Sequence, residues 1–145
     1  MTTIAFKKGV LAFDSKLSNS GDLSGYGLKG RKTAKFIVAA CGTYEDCCAF
    51  LDWMSAGGKP DDRKKFGIDR DLNISALAIN KKGTVFQYDG RLYPYKIDHK
   101  FFAIGSGSSY AIGAMESGST AVQAVKISAK YDANTGGTIR LLSWD

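Results

Sequence analysis

The sequence predicts an α+β fold, antiparallel sheets covered by helices. Short apolar runs joined by glycine-containing turns occur at the start and in the middle of the chain, which is the pattern of hairpins. Stretches of helical period stand after the third strand and late in the chain. Strands, helix, strands, helices and a final strand follow one another without the regular βα alternation of a parallel sheet.

Residues 3–6 and 10–14 read as two short strands joined at Lys8-Gly9, a hairpin beginning at the N-terminus. The polar, glycine-rich run SKLSNSGDLSGYG, 15–27, reads as a loop, and FIVAACG, 36–42, as a buried strand by its length and apolar character. From Tyr44 the period changes. Tyr44, Cys47, Cys48, Leu51 and Met54 fall at helical spacing, giving an amphipathic helix of about three turns that stops at Gly57-Gly58 and Pro60. Phe50 and Trp53 on it are packing surface. Residues 59–71 are charged and irregular. ISALAIN, 74–80, and TVFQYD, 84–89, flank Lys81-Lys82-Gly83 as a second hairpin, and 92–97 and 101–105 extend the sheet, with Pro94 confining the former to an edge or irregular position. Helices are expected over 108–116 and 120–131. The second carries capping-box spacing in Thr120 and Gln123 and an apolar face that includes Ala121, Val122 and Val125. Residues 138–144 read as the final strand.

At 145 residues the chain suits one domain, since a fold of this size buries roughly two-thirds of its extended surface around one core. With 44% apolar and 23% charged residues it lies in the globular range. No run approaches the roughly 20 apolar residues of a membrane span or the core of a signal peptide, so the expected compartment is the cytoplasm. The excess of +6 does not imply nucleic acid: basic clusters are interrupted by acids, as in KPDDRKKFGIDRD, 59–71, and no nucleic-acid motif accompanies them. Cys41, Cys47 and Cys48 are an odd set with two adjacent members, read as reduced, buried thiols. One histidine, His99, and no paired Cys-x-x-Cys spacing argue against a metal site, and no cofactor is expected.

The chemistry begins at Met1-Thr2. Removal of Met1 would leave threonine with a free α-amine, whose ordinary pKa of roughly 7.7–8.0 suits it to take the hydroxyl proton. A threonine paired with its own amine is a recognised nucleophile arrangement. Considered without their surroundings, Asp14 is a turn residue and each nearby lysine a solvated surface group. GSG at 105–107 lacks the lysine-threonine ending of a phosphate loop.

The opening TTIAFKKGVLAFDS, 2–15, resembles the mature start of proteasome β subunits and of the HslV peptidase, in which a threonine-led strand runs into a second strand ending in aspartate. Asp14 takes the place of that aspartate. FIVAACG resembles the strand leading into the family's oxyanion turn and first helix. Counting back from it makes Lys29 the candidate for the lysine that pairs with the aspartate, with Lys32 and Lys35 as competitors. Gly42 is the expected backbone N–H donor to the oxyanion. AIGSGSSYAIGAMESG, 103–118, resembles the glycine-serine-glycine turn and following helix, which makes Ser106 the supporting serine. YDANTGG, 131–137, resembles the aspartate, two residues, serine and glycine that close the site: Asp132 is the aspartate, and Thr135 replaces the serine, keeping a hydroxyl and adding a methyl group.

The resemblance covers nearly the whole chain and implies a single N-terminal-nucleophile hydrolase domain over 1–145, an αββα-type sandwich. Its helical layer is shortened, because 57–73 offers a charged connection where the family has a second long helix. That places the chain nearest compact members from bacteriophage and bacteria. The implied activity is threonine-type endopeptidase action on unfolded polypeptide, in a homo-oligomeric ring with a possible ATPase unfoldase as partner, in a bacterial or phage-infected cytoplasm. A catalytically silent ring subunit and a small-molecule amidase on the same scaffold are the alternatives.

Overall fold

The computed structural model describes residues 2–19 and 22–145. Met1, and with it the expected trimming, lies outside the described residues, as do Ser20 and Gly21 within the expected loop. Strands β1 (Thr3–Lys7) and β2 (Val10–Phe13) form the opening hairpin, with Ile4 opposite Phe13 and Phe6 opposite Leu11. The expected loop over 15–27 instead holds a second hairpin, β3 (Lys16–Asn19) and β4 (Asp22–Tyr26). It forms a two-stranded sheet of its own.

Next come β5 (Gly30–Lys32), β6 (Phe36–Gly42) and helix α1 (Tyr44–Ser55). The charged stretch after α1 is not wholly irregular: Pro60–Phe66 is 3-10 helical, with Pro at its start and Gly67 left-handed at its end. Then follow β7 (Ile74–Asn80), β8 (Val85–Tyr88), β9 (Pro94–Ile97) and β10 (Phe101–Gly105). Helices α2 (Ser108–Glu116) and α3 (Ala121–Tyr131) precede β11 (Arg140–Leu142). The last strand is shorter than the expected 138–144. The capping box of α3 is formed: Thr120 accepts from the Gln123 backbone N–H, and the Gln123 side chain accepts from the Thr120 N–H.

The strands make a four-stranded sheet ordered β10-β1-β2-β11 and a five-stranded sheet ordered β5-β6-β7-β8-β9. Every pairing in both is antiparallel. Alternation along the strands sorts side chains into layers. Ile4, Phe6, Leu11 and Phe13 meet Ile37, Ala39, Leu77 and Ile79 in the core between the sheets. The opposite face of the first sheet presents Ala5, Ala12 and Ala103 to Met115, Ala124 and Val125 of α2 and α3. The opposite face of the second presents Val38, Ala40, Ala76 and Ala78 to Phe50, Leu51 and Met54 of α1. Alanines under the helices let them approach the sheets closely, while the bulk is kept between the sheets.

The result is the α+β layering of helix, sheet, sheet, helix, with α2 and α3 on one side and α1 with the 3-10 turn on the other. Ile4, Leu11 and Phe13 are each at most 1% exposed, and burying each contributes roughly 1.5–3 kcal/mol. That burial fixes the β1–β2 hairpin whose open end carries Thr2 and Asp14. No helix among the described residues is long and apolar enough to cross a membrane.

Candidate active site

The β1–β2 register continues one step past the ladder, where the Asp14 N–H donates to the Thr3 carbonyl at 3.4 Å. This puts the Asp14 side chain, wholly buried, beside the start of β1. In the second sheet Gly30 pairs with Ala39, and the Ala40 N–H donates to the Lys29 carbonyl at 2.9 Å, so Lys29 enters the same space one residue ahead of β5. The Lys29 ammonium donates to Asp14 Oδ1 at 2.9 Å and to Thr2 Oγ1. Asp14 also accepts from the Gly136 N–H through Oδ2 at 2.9 Å and from the Thr3 N–H through Oδ1 at 3.3 Å. Thr2 is 1% exposed and Lys29 4%.

Burial pulls the Lys29 pKa below the ordinary lysine value, and the charge and hydrogen bond of Asp14 push back against that fall. An ammonium so placed favours negative charge building on the Thr2 oxygen and gives up its proton more readily than a solvated lysine. Neither competitor reaches this position. Lys32 is exposed, donates to the Ser143 carbonyl at 3.3 Å and lies 5.0 Å above the centre of the Trp144 ring. Lys35 is exposed in the turn before β6.

Ser106, Asp132 and Thr135 meet on the other side of β1. Ser106 and Thr135 each donate to Asp132 Oδ2 at 2.6 Å. Burial alone would raise the Asp132 carboxyl, but these two hydrogen bonds act against it together with the Asn134 backbone N–H and the N-terminal charge, and the group lies below the ordinary aspartate value. The Ser106 hydroxyl and the Gly107 N–H both approach the Thr2 carbonyl, each at 3.4 Å. The methyl group that distinguishes Thr135 from the expected serine is accommodated, with the residue 3% exposed.

Gly42 ends β6 at the mouth of a cleft of about 150 Å3 that is also lined by Thr2, Leu17, Ser18, Lys29 and Tyr44. Its φ of +128° suits only glycine, and a Cβ there would overlap the Asn73 carbonyl. Asn73 pins the turn from outside: its carbonyl accepts from the Thr43 N–H at 3.0 Å, and its Nδ2 donates to Thr43 Oγ1 at 2.8 Å. The unexpected hairpin β3–β4 contributes Leu17 and Ser18 to the cleft.

Cys41 and Cys47 also line it, but burial pushes their thiols up to about 11 and about 12 respectively, so both are protonated near neutral pH and poor nucleophiles. Lys29 draws both thiols down, but burial outweighs it, whereas its ammonium donates directly to the Thr2 hydroxyl.

Sequence reasoning missed Thr3 and Ser128, and it placed Gly107 and Gly136 in the glycine-serine-glycine and closing motifs without giving either a role. Thr3 is wholly buried, with its hydroxyl 2.8 Å from Thr135 Oγ1. Ser128 of α3 donates to the Gly107 carbonyl at 2.9 Å. The available signals were the doubled threonine at 2–3 and a serine on the apolar face of α3.

The sequence matches no family model and no curated protein. Solved structures do match. Eukaryotic HslV from Trypanosoma brucei is similar with a TM-score of 0.69 and 15% identity over 98% of each chain. BPH from Thiobacillus denitrificans is similar with a TM-score of 0.70 and 18% identity over 99% of this chain and 98% of that one. The same protein in complex with epoxomicin gives 0.69 and 18% over the same shares. At these identities the likeness is one of fold, the α+β arrangement of antiparallel sheets and helices found in HslV.

Proposed function

We propose that the chain is a threonine-type N-terminal-nucleophile peptidase, with Thr2 the nucleophile once Met1 is removed. The observation that carries this reading is the Lys29 ammonium donating to Thr2 Oγ1 while Asp14 holds it from behind, all three buried. The likeness of fold to HslV, and to a protein whose structure holds epoxomicin, supports the same reading.

Removal of Met1 bares an amine attached to the nucleophilic residue itself. That amine takes the Thr2 hydroxyl proton as Oγ1 attacks the carbonyl carbon of a peptide. Lys29 stabilises the charge developing on Oγ1, and Asp14 keeps Lys29 charged and oriented. The Gly42 N–H is the proposed donor to the tetrahedral oxyanion, a contribution of roughly 2.7–4 kcal/mol to the barrier in comparable sites. Collapse expels the new amine with the transferred proton and leaves an ester on Thr2. Water, deprotonated by the same α-amine, then cleaves the ester.

Ser106, Asp132 and Thr135 would hold the amine side of Thr2 in place. The substrate class proposed is unfolded polypeptide, handled by a homo-oligomeric ring with an ATPase unfoldase as partner, in a bacterial or phage-infected cytoplasm. The single α-helix and 3-10 turn over the second sheet support placing the chain among compact members of the family.

A silent ring subunit fits less well. Burying an ammonium and a carboxylate costs several kcal/mol per ion before their attraction is counted, and an apolar pair of similar volume does as well for stability. Asp14 also satisfies the backbone N–H groups of Thr3 and Gly136, but keeping a buried ammonium against a threonine hydroxyl has a chemical reason. The test is hydrolysis of fluorogenic peptides by the purified, Met1-free protein and by its Thr2→Ala variant. Hydrolysis by the first and none by a folded Thr2→Ala is expected; equal rates in both would remove Thr2 from the mechanism.

A further inference from the structure

We infer that Thr3 is a positioning residue that joins the two halves of this site, an inference that rests on the peptidase reading above. Neighbouring residues on a strand face opposite ways. Thr2 follows Ile4 and Phe6 toward the inter-sheet core and Lys29, whereas Thr3 follows Ala5 toward the helices. One peptide unit thus serves two polar clusters that do not otherwise touch Thr2 from the same side.

Thr3 has a bond to each. Its N–H donates to Asp14 Oδ1 at 3.3 Å, reaching the ion pair. Its hydroxyl lies 2.8 Å from Thr135 Oγ1. A hydroxyl has one proton to give. Thr135 spends its proton on Asp132 Oδ2 at 2.6 Å, so in the Thr3–Thr135 bond Thr3 is the donor.

The connections then run from Lys29 through Asp14, Thr3, Thr135 and Asp132 to Ser106, and the next backbone N–H after Ser106, that of Gly107, donates to the Thr2 carbonyl at 3.4 Å. The circuit begins at the Thr2 hydroxyl and closes on the Thr2 backbone. Thr3 belongs to both arms through its backbone N–H and its hydroxyl, and the Gly136 N–H on Asp14 Oδ2 adds a backbone link beside Thr135.

The packing around it is fitted to that hydroxyl. A Cβ on Gly107 would overlap Thr3 Oγ1, so the turn before α2 is bare where the hydroxyl sits. Ser128 fixes the same turn by donating to the Gly107 carbonyl at 2.9 Å. Thr3 touches neither the cleft nor the reacting atoms. Its effect is on where the Thr2 amine and hydroxyl stand relative to each other, which enters kcat and not substrate binding.

The experiment compares Thr3→Val, which keeps the shape and deletes the hydroxyl, with Thr3→Ser, which keeps the hydroxyl. Intact mass confirms Met1 removal in each, and melting temperature confirms folding. Thr3→Val is expected to lower kcat by about 10- to 100-fold at unchanged KM, and Thr3→Ser to stay within about threefold of wild type. Combining Thr3→Val with Thr135→Val is expected to cost no more than about twofold beyond the worse single variant, because both remove one bond of the same circuit. Thr3→Ala, which adds no bulk, gives the same reading if the valine variant does not fold.

Wild-type kcat in Thr3→Val or Thr3→Ala with only a lowered melting temperature would overturn the inference, as would a serine variant no better than valine. Those outcomes leave the peptidase reading standing. A wild-type protein that is trimmed yet inert would end both.

Discussion

Replacing Asp14 by Asn removes one charge and almost no volume from a carboxylate that is wholly buried and takes three hydrogen bonds. Lys29, 4% exposed, would then keep its ammonium without the counter-charge 2.9 Å away. The amide cannot satisfy every partner either. With its oxygen toward Lys29 and Thr3, its NH2 faces the Gly136 N–H, donor against donor; flipped, it faces the ammonium. Stripping one partner from a buried pair costs about 3–5 kcal/mol, and near this chain length about 2–4 °C of melting temperature accompanies each kcal/mol. The melting temperature is therefore expected to fall by roughly 6–20 °C at pH 6–7.

The sign of the pH dependence follows from Lys29. Burial already lowers its pKa in the folded protein, and losing Asp14 removes what opposes that fall. Between the folded pKa and the ordinary lysine value the unfolded chain binds more protons, so the stability of the variant rises with pH across that window and its deficit narrows. Thermal melts of both proteins from pH 6 to 10, with peptide hydrolysis at each pH, measure this. Hydrolysis by the variant is expected to be down about 10²–10³-fold in kcat. A variant that melts within about 2 °C of wild type at pH 6–7, or whose deficit widens with pH, would refute the reasoning.

Lys29→Ala is expected to abolish peptide hydrolysis, whereas Lys32→Ala and Lys35→Ala keep kcat within about twofold of wild type, because neither amine approaches Thr2. Steady-state kinetics on the three variants checks this. Gly42→Ala places a methyl group against the Asn73 carbonyl at a φ of +128°, a strain of about 1–3 kcal/mol that displaces the expected oxyanion donor. A loss of kcat of roughly 10²-fold with KM little changed is expected in the same assay.

The elements that alternate cleanly were legible in the sequence. Ile4, Phe6, Leu11 and Phe13 announce β1 and β2 because one face packs between sheets while alanines fill the other, and Thr120 with Gln123 marks the start of α3. The β3–β4 hairpin was hidden because it pairs only with itself, and Leu23 and Tyr26 on it stand exposed, so no buried face imposes an apolar alternation. The 3-10 segment Pro60–Phe66 has no buried residue and so leaves no periodic trace.

At the site, the resemblance brought Thr2, Asp14, Ser106, Asp132, Thr135 and Gly42 into view, but separating Lys29 from Lys32 and Lys35 needed the register of Gly30 on Ala39. Thr3 stayed invisible for a different reason. Beside a candidate nucleophile it reads as an ordinary strand residue, and its partner Thr135 lies 132 residues away.

The most direct test of a nucleophilic Thr2 is the intact mass of the purified protein before and after exposure to a peptide epoxyketone, which captures a threonine hydroxyl together with its free α-amine. Loss of Met1 and one adduct per chain, absent from Thr2→Ala, is the expected result. A trimmed chain that takes up no reagent, or an adduct that persists in Thr2→Ala, would contradict the account.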